Sequence, residues 1–148
     1  MESDYNWKVT AQKGLNYWVG DSGSKKLIPD IIIHSLDTGQ KIILDTKWKQ
    51  PSKNKPDDHD LRQLLGYKLY YQGDTAYLLY PCCGTKSYVS EGRYSNRTHQ
   101  NNNPVFKDGF GLHGGLMFLN MVSEKKLISK SGFRAIINDN LKLGVNAE

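Results

Sequence analysis

Two stretches, Pro29-Asp30-Ile31-Ile32-Ile33 and Ile42-Ile43-Leu44-Asp45-Thr46-Lys47, decide the fold of this chain. Both are short runs of β-branched and other apolar residues, which is typical of strands that are buried on both faces. Residues i and i+2 of a strand share a face, so Asp45 and Lys47 point the same way. Asp30 reaches the same place if the two strands pair. The sequence therefore predicts a sheet with two carboxylates and an ammonium group at one edge.

The remaining pattern adds helices and further strands to this pair. We expect strands or hairpins at 7–10 and 15–19, adjacent strands at 27–36 and 40–48, a helix from Asp57 or Asp58 to about Gln72, strands at 75–80, 86–89 and 116–122, a long loop at 91–115 and a helix at 132–143. The leucines of the first helix recur at helical spacing and are expected to face the core: Leu61, Leu64, Leu65 and Leu69. The order indicates one α/β domain over 1–148, with a central mixed β-sheet flanked by α-helices.

Composition excludes several classes of protein. The chain has 148 residues, which is the length of one ordinary domain. It contains no run of about eighteen apolar residues, and its polar start lacks the apolar core of a secretory signal, so we expect a cytoplasmic protein without a membrane span. Its four histidines are scattered and its two cysteines are adjacent, which gives no spacing typical of a zinc site.

The net charge of +5 is not spread evenly along the chain. Lysines cluster around and after the second apolar run, at Lys41, Lys47, Lys49, Lys53 and Lys55. A basic rim beside a metal site would attract a polyanion such as DNA. An ordinary solvated lysine-rich loop explains the cluster equally well. We therefore regard Lys49, Lys53 and Lys55 as weak candidates for DNA binding.

The charged residues at the strand ends suit the hydrolysis of a phosphodiester. Asp30 and Asp45, with the backbone carbonyl of Thr46, are hard oxygen ligands of the kind that hold Mg²⁺. Lys47 would orient or deprotonate the attacking water, or neutralise the charge that develops on the phosphate. A lone Asp-x-Lys is more often a surface ion pair, but here the charges interrupt runs suited to burial, which favours a functional role.

The first predicted helix carries two further candidates, Gln63 and Tyr67. They are four residues apart and so lie on one helix face. The amide of Gln63 can accept from the lysine or from a metal-bound water, and the phenol of Tyr67 can donate to a phosphate oxygen. Gly66 between them predicts a close approach by another backbone or by the substrate. The other aromatic residues considered are expected to pack in the core or at a sheet edge: Trp18, Trp48, Tyr70, Tyr71 and Tyr80.

Together, Pro29-Asp30, Asp45-Thr46-Lys47 and Gln63–Tyr67 resemble the motifs of the RecB-like branch of the PD-(D/E)xK nuclease superfamily, in the same order and spacing. More narrowly, the region from Leu27 to Pro81 is similar to the C-terminal nuclease part of McrC-like proteins of McrBC restriction systems. The resemblance implies a restriction-endonuclease-like core and cleavage of double-stranded DNA that depends on Mg²⁺, with Mn²⁺ as a substitute. It assigns metal binding to Asp30 and Asp45, catalysis to Lys47, accessory roles in the active site to Gln63 and Tyr67, and a McrB-like GTPase as partner.

The same branch usually has an acidic residue on a helix before the first strand, and nothing before Leu27 clearly matches it. Two other functions stay open at this point. One is a catalytically weak module of the same fold that binds nucleic acid or a protein. The other is a repair or recombination nuclease that acts on single strands or DNA ends. Cutting both strands of a duplex would favour a homodimer.

Overall fold

The computed structural model describes residues 6–49, 51, 53, 55–82, 86–97, 104–106, 111, 113–123, 126–127 and 129–141. Its elements, in chain order, are β1 (Trp7–Ala11), β2 (Leu15–Gly20), β3 (Gly23–Leu27), β4 (Ile31–Ser35), β5 (Lys41–Thr46), α1 (Asp58–Tyr71), β6 (Thr75–Cys82), β7 (Tyr88–Arg93), β8 (His113–Asn120), β9 (Val122–Ser123), β10 (Lys126–Leu127) and α2 (Lys130–Leu141). The predicted end of the last helix at 142–143, and most of 98–112, lie outside the described residues.

Six strands form one mixed sheet in the order β1-β4-β5-β6-β8-β7. The central strands β5, β6 and β8 are parallel, and the outer pairs are antiparallel. One apolar core lies between this sheet and α1, and a second lies on the face that packs against α2. The predicted α/β fold, a central mixed sheet flanked by helices, is confirmed.

The apolar runs at 29–33 and 42–47 pair with each other, as predicted. β4 and β5 are antiparallel, with Ile31 opposite Leu44 and Ile32 opposite Ile43. One residue further along this register, Asp30 stands opposite Asp45. Since Ile32 and Ile43 belong to the core under α1, the two-residue period of a strand turns both aspartates toward α1 as well.

The N-terminal strands pair differently from the prediction. β1 pairs with β4, whereas β2 forms a hairpin with β3. The expected single strand over 27–36 is also broken at Ile28-Pro29-Asp30. Proline lacks the N–H that a central strand needs, and the carbonyls on both sides of it are bound elsewhere: Ile28 accepts from Tyr67 and Asp30 accepts from the backbone of Gln12. The break separates the hairpin from the sheet and leaves Asp30 at the sheet's edge.

The bounds predicted for α1 are confirmed, but the predicted leucine stripe is buried only in part, at Leu64 and at Leu61, which packs against the same core. Asp57 caps the helix by accepting from the backbone N–H of His59, and Gln72 ends it in the left-handed conformation. Leu64 is buried, yet Leu69 is 42% exposed. The side chains that face the sheet belong to Asp60, Leu64, Tyr67 and Lys68. Burying two charged groups on this face requires partners for both, and these partners shape the site below.

The expected long loop over 91–115 is shorter, because β7 runs to Arg93 and β8 starts at His113. The two strands pair across the intervening segment. The sequence pattern does not show this pairing, because glycines in both strands interrupt the alternation of apolar and polar side chains. A Cβ on Gly115 would stand 2.3 Å from the carbonyl oxygen of Ser90, so the close approach of the backbones requires glycine there.

In the part of the chain that the structure describes, no helix has the length and apolar character to cross a membrane.

Candidate active site

Lys47 lies at the centre of a contact network where β5 ends. Its Nζ is 2.6 Å from Oδ2 of Asp45 and 3.1 Å from Oδ1 of Asp60. It also donates to Oε1 of Gln63 at 3.1 Å. An ammonium group has three N–H donors, and these three oxygens can accept all of them. The structure thus brings together Asp45, Lys47 and Gln63, three of the residues singled out from the sequence.

Asp30 lies beside this network and is held by the neighbouring strand. Its Oδ2 accepts from the backbone N–H of Thr46 at 2.7 Å and from the Thr46 hydroxyl at 2.6 Å. Two hydrogen bonds to one oxygen fix the carboxylate against the end of β5. Thr46 therefore acts on Asp30 through its amide and hydroxyl, while a ligand role for its backbone carbonyl stays a prediction.

Tyr67 links the helix to the break between β3 and β4. Gln63 donates through Nε2 to the Tyr67 hydroxyl at 2.7 Å, and that hydroxyl donates to the carbonyl of Ile28 at 3.1 Å. The Tyr67 hydroxyl, which was expected to donate to a phosphate oxygen, thus donates to the backbone carbonyl of Ile28. The approach of another backbone predicted at Gly66 is not found among the described residues, because the atoms nearest an added Cβ are side-chain carbons of Leu27, with Cδ1 at 3.4 Å. Tyr67 fixes both Gln63 and the segment that leads to Asp30.

Asp60 is the site residue that the sequence prediction missed. It is 6% exposed, and its Oδ2 is buried with no hydrogen-bond partner among the described residues. It lies in the first turn of α1, where the helix dipole favours a carboxylate. Asp60 precedes Gln63 by three residues and Tyr67 by seven, so helical spacing could have placed all three on one face. The expected upstream acid was sought before the first strand, whereas this carboxylate comes from the helix after β5.

Burial and charge shift the ionisation of the central groups. Burial raises the pKa of the Asp45 carboxyl, although the hydrogen bond from Lys47 acts in the opposite direction. Burial alone would lower the pKa of Lys47, but its hydrogen bonds to Asp45 and Asp60 outweigh this and raise it. Burial and the nearby charges of Asp45 and Asp30 raise the pKa of Tyr67. Lys47 is therefore a cation at neutral pH, and Tyr67 is a neutral hydroxyl.

The donor set suits a hard divalent cation that keeps several ligands of its own. Two carboxylates, those of Asp45 and Asp60, contact a single ammonium group, and one oxygen of Asp60 has no hydrogen-bond partner among the described residues. The carboxylate of Asp30 lies beside them, bound to Thr46. Within the described residues no three His, Cys, Asp or Glu side chains are grouped closely enough to hold a metal ion by themselves. Mg²⁺ fits such a site, since it is usually bound through one or two carboxylates plus phosphate oxygens and water.

Comparison with known proteins places the chain in a family. The model of the family "McrBC 5-methylcytosine restriction system component" matches residues 1–81, which is more than half of the chain. The chain belongs to this family. The matched region contains all of the site residues described above, and the McrC-like resemblance predicted from the motifs is confirmed.

A solved structure shares the fold of this McrBC-family chain. It is a refined half-complex from the tetradecameric assembly of Thermococcus gammatolerans McrB AAA+ hexamers with bound McrC. The match has a TM-score of 0.53 and 17% sequence identity, and it covers 90% of the present chain. The present chain spans 28% of the length of the matched one. No curated protein is similar enough to count as a relative.

The predicted DNA-binding lysines of this McrBC-family chain lie next to Asp60. Lys49, Lys53 and Lys55 line a cavity of about 470 Å³, together with Pro51, Pro56, Asp57, Asp60 and Tyr80. We call this cavity the basic cleft. The three lysines take part in none of the ion pairs found among the described residues. These three described lysines thus border the candidate site.

Proposed function

We propose that this chain is the nuclease part of a McrC-like protein and hydrolyses phosphodiester bonds of DNA in a reaction that depends on Mg²⁺. One observation carries the proposal: Asp45, Lys47, Asp60 and Gln63 form a single contact network at the edge of the sheet. The basic cleft beside it supplies the charge that a polyanionic substrate requires. Membership of a restriction-system family supports DNA as that substrate.

Asp30 and Asp45 are the residues that would hold Mg²⁺ or Mn²⁺, with the Thr46 backbone carbonyl as the proposed third ligand from the protein. When bound, the ion would supply positive charge at the phosphate and make a water molecule a stronger nucleophile. Thr46 keeps Asp30 oriented for this task through its amide and hydroxyl. Asp60 brings a further carboxylate oxygen that has no other partner in the described structure.

Lys47 acts in this proposal as a cation and not as a base. Three oxygens accept from its ammonium group, and the carboxylates on either side raise its pKa. A protonated lysine cannot take a proton from water, but it stabilises negative charge that develops on a phosphate or on the leaving oxygen. Asp60 and Gln63 hold the ammonium in place, and Tyr67 in turn holds Gln63. They act as positioning residues.

Two aspects of the assembly belong to the same proposal. The chain works as one nuclease domain over 1–148, and it takes a McrB-like GTPase as partner. The fold shared with a McrB–McrC assembly supports such a partner. Cleavage of both DNA strands would require two active sites, which favours a homodimer or a larger symmetric complex.

Incubation of the purified chain with supercoiled plasmid tests the function. We expect nicked or linear DNA with Mg²⁺ or Mn²⁺, and none with EDTA. Asp45→Asn should abolish cutting, because the carboxylate that faces Lys47 is lost. Asp58→Asn is the matched control, since Asp58 is exposed on α1 and pairs with Arg62 away from the site. Metal-dependent cutting by the Asp45 variant would refute the assigned site.

A further inference from the structure

Trp48 follows Lys47 directly and is 85% exposed. Of the two places expected for this aromatic residue, the core is wrong, and Trp48 instead lies at the edge of the sheet. Indole is the largest apolar side chain, and leaving it in water forfeits the free energy that its burial would provide. So large an exposed aromatic next to a candidate catalytic lysine is therefore a candidate for ligand contact.

The indole borders a groove with an apolar floor. Trp48 lines a small cavity of about 60 Å³ with Thr46, Lys47, Leu79, Tyr80, Pro81, Leu119 and Met121. Leu79 and Leu119 belong to the core on the α2 side of the sheet. We call this cavity the indole groove. It is too small to enclose a ligand, but its largely apolar lining can contact a ring that lies against the indole.

The indole groove and the basic cleft meet at the same edge of the sheet. Tyr80 lines both of them. Lys47 lines the groove, and its ion-pair partner Asp60 lines the cleft. A ligand that spans the two must therefore combine a flat ring with negative charge. A nucleic acid strand with an exposed base has both properties, whereas an apolar protein surface lacks the negative charge that would complement the three lysines of the basic cleft.

We propose that Trp48 stacks on an unpaired nucleobase of the strand whose phosphates lie along Lys49, Lys53 and Lys55. This inference rests on the proposed function and adds to it the state of the substrate. In a duplex the base faces are covered by their neighbours, so a base that meets Trp48 has left the stack. The substrate is accordingly a strand that is single, frayed or locally opened beside the scissile phosphate.

The inference is tested by binding in EDTA, so that cleavage does not enter the measurement. Fluorescence anisotropy compares a labelled thymine oligonucleotide with an abasic oligonucleotide of the same length and charge. The wild-type chain should bind the thymine strand more tightly. Trp48→Ala should weaken that binding about tenfold, the typical contribution of one stacked base, and leave the abasic strand unaffected. Trp48→Phe should keep most of the affinity.

Two controls separate stacking from a general loss of structure. Trp18→Ala removes another tryptophan, 48% exposed on β2, and should change neither affinity. A Trp7→Phe/Trp18→Phe protein leaves Trp48 as the sole tryptophan of the three. Its emission should be quenched by the thymine strand and not by the abasic one.

Each of three results would overturn the inference. Trp48→Ala could bind the thymine strand as tightly as the wild type, or lose the same affinity for the thymine and abasic strands. Both strands could also quench the Trp48 emission equally. A change in sedimentation on Trp48→Ala without a change in DNA binding would also overturn it, and would make the indole groove an interface between copies. These outcomes are independent of the nuclease proposal. If the chain stacks bases but never cuts plasmid DNA, the nuclease proposal alone is refuted.

Discussion

At the scale of single residues, Lys47 determines the chemistry that the site can perform. The carboxylates of Asp45 and Asp60 are buried, and a buried charge is tolerated only with a partner. Lys47 serves both. Removing one member of such a group leaves the other charges uncompensated, so each member affects the position of the ammonium.

Asp60→Asn tests this dependence at the acid that the sequence prediction missed. The amide keeps the shape of the side chain but loses the charge that holds Lys47. We expect the rate of plasmid nicking to fall by roughly tenfold to a hundredfold, the usual cost of a misplaced catalytic group. Affinity for DNA should not fall with it.

Asp58→Asn is again the matched control, two residues earlier on the same helix and exposed. If both variants nick at the wild-type rate, Asp60 has no part in positioning Lys47. A parallel loss in the two variants would instead point to damage of the helix start.

The residue pattern predicted part of the site and could not predict the rest. Asp30, Asp45 and Lys47 were found because the two-residue period of strands is fixed. Asp60 shares helical spacing with Gln63, but only the rotation of α1 against the sheet decides which face is buried. Exposure of Trp48 was equally hidden, because nothing in its sequence neighbourhood shows that the sheet ends there.

At the scale of elements, α1 holds the site together through its tyrosines. Tyr67 donates to the carbonyl of Ile28, Tyr71 to that of Leu27 at 2.8 Å, and Tyr70 to that of Tyr17 at 3.1 Å. These hydrogen bonds fasten the β2–β3 hairpin and the break before β4 to the helix. The helix that presents Asp60 and Gln63 thereby also sets the position of Asp30.

The other end of α1 is secured by Lys68, which is fully buried. Its Nζ donates to the carbonyls of Asp74 at 2.7 Å and His113 at 2.6 Å, which joins the helix to the starts of β6 and β8. Lys68→Met should destabilise the fold by about 1–3 kcal/mol, because these carbonyls lose their donor. Urea unfolding measures the change.

The same residue predicts a dependence of stability on pH. Burial lowers the pKa of Lys68 from 10.5 to about 8. Between these pH values the unfolded chain binds the proton and the folded one does not, so stability rises with pH, by at most about 1.4 kcal/mol per unit. The cost of burying the charged form of Lys68 is absent above the unfolded pKa of 10.5, and it is complete once the pH has fallen below the folded pKa of about 8. The difference in unfolding free energy between wild type and Lys68→Met should therefore grow from pH 8 to 10. A constant difference would contradict the assignment.

Elements with a strong apolar period were predictable, and those without one were not. The apolar runs at 29–33 and 42–47 predicted β4 and β5, and leucines at helical spacing predicted α1. The β2–β3 hairpin is largely exposed and β7 pairs through glycines. In such strands tertiary contacts decide the pairing, so the sequence carries little local signal.

At the scale of the whole molecule, the topology explains why the site lies where it does. β5, β6 and β8 are parallel, so their carboxyl ends meet at one edge of the sheet. Ligands of open α/β sheets bind at that edge. Lys47 follows β5 there, Tyr80 lies near the end of β6, and Leu119 near the end of β8. The contact network, the basic cleft and the indole groove therefore meet at this edge of the sheet.

Calorimetric titration of Mn²⁺ into the purified chain is the most direct test of the claim that this edge holds a catalytic metal. We predict binding by the wild type and by Asp58→Asn, and none by Asp45→Asn. Binding that is equal in all three, or absent from all three, would contradict a metal site at Asp30 and Asp45 and favour a module that binds nucleic acid or protein without cleaving it.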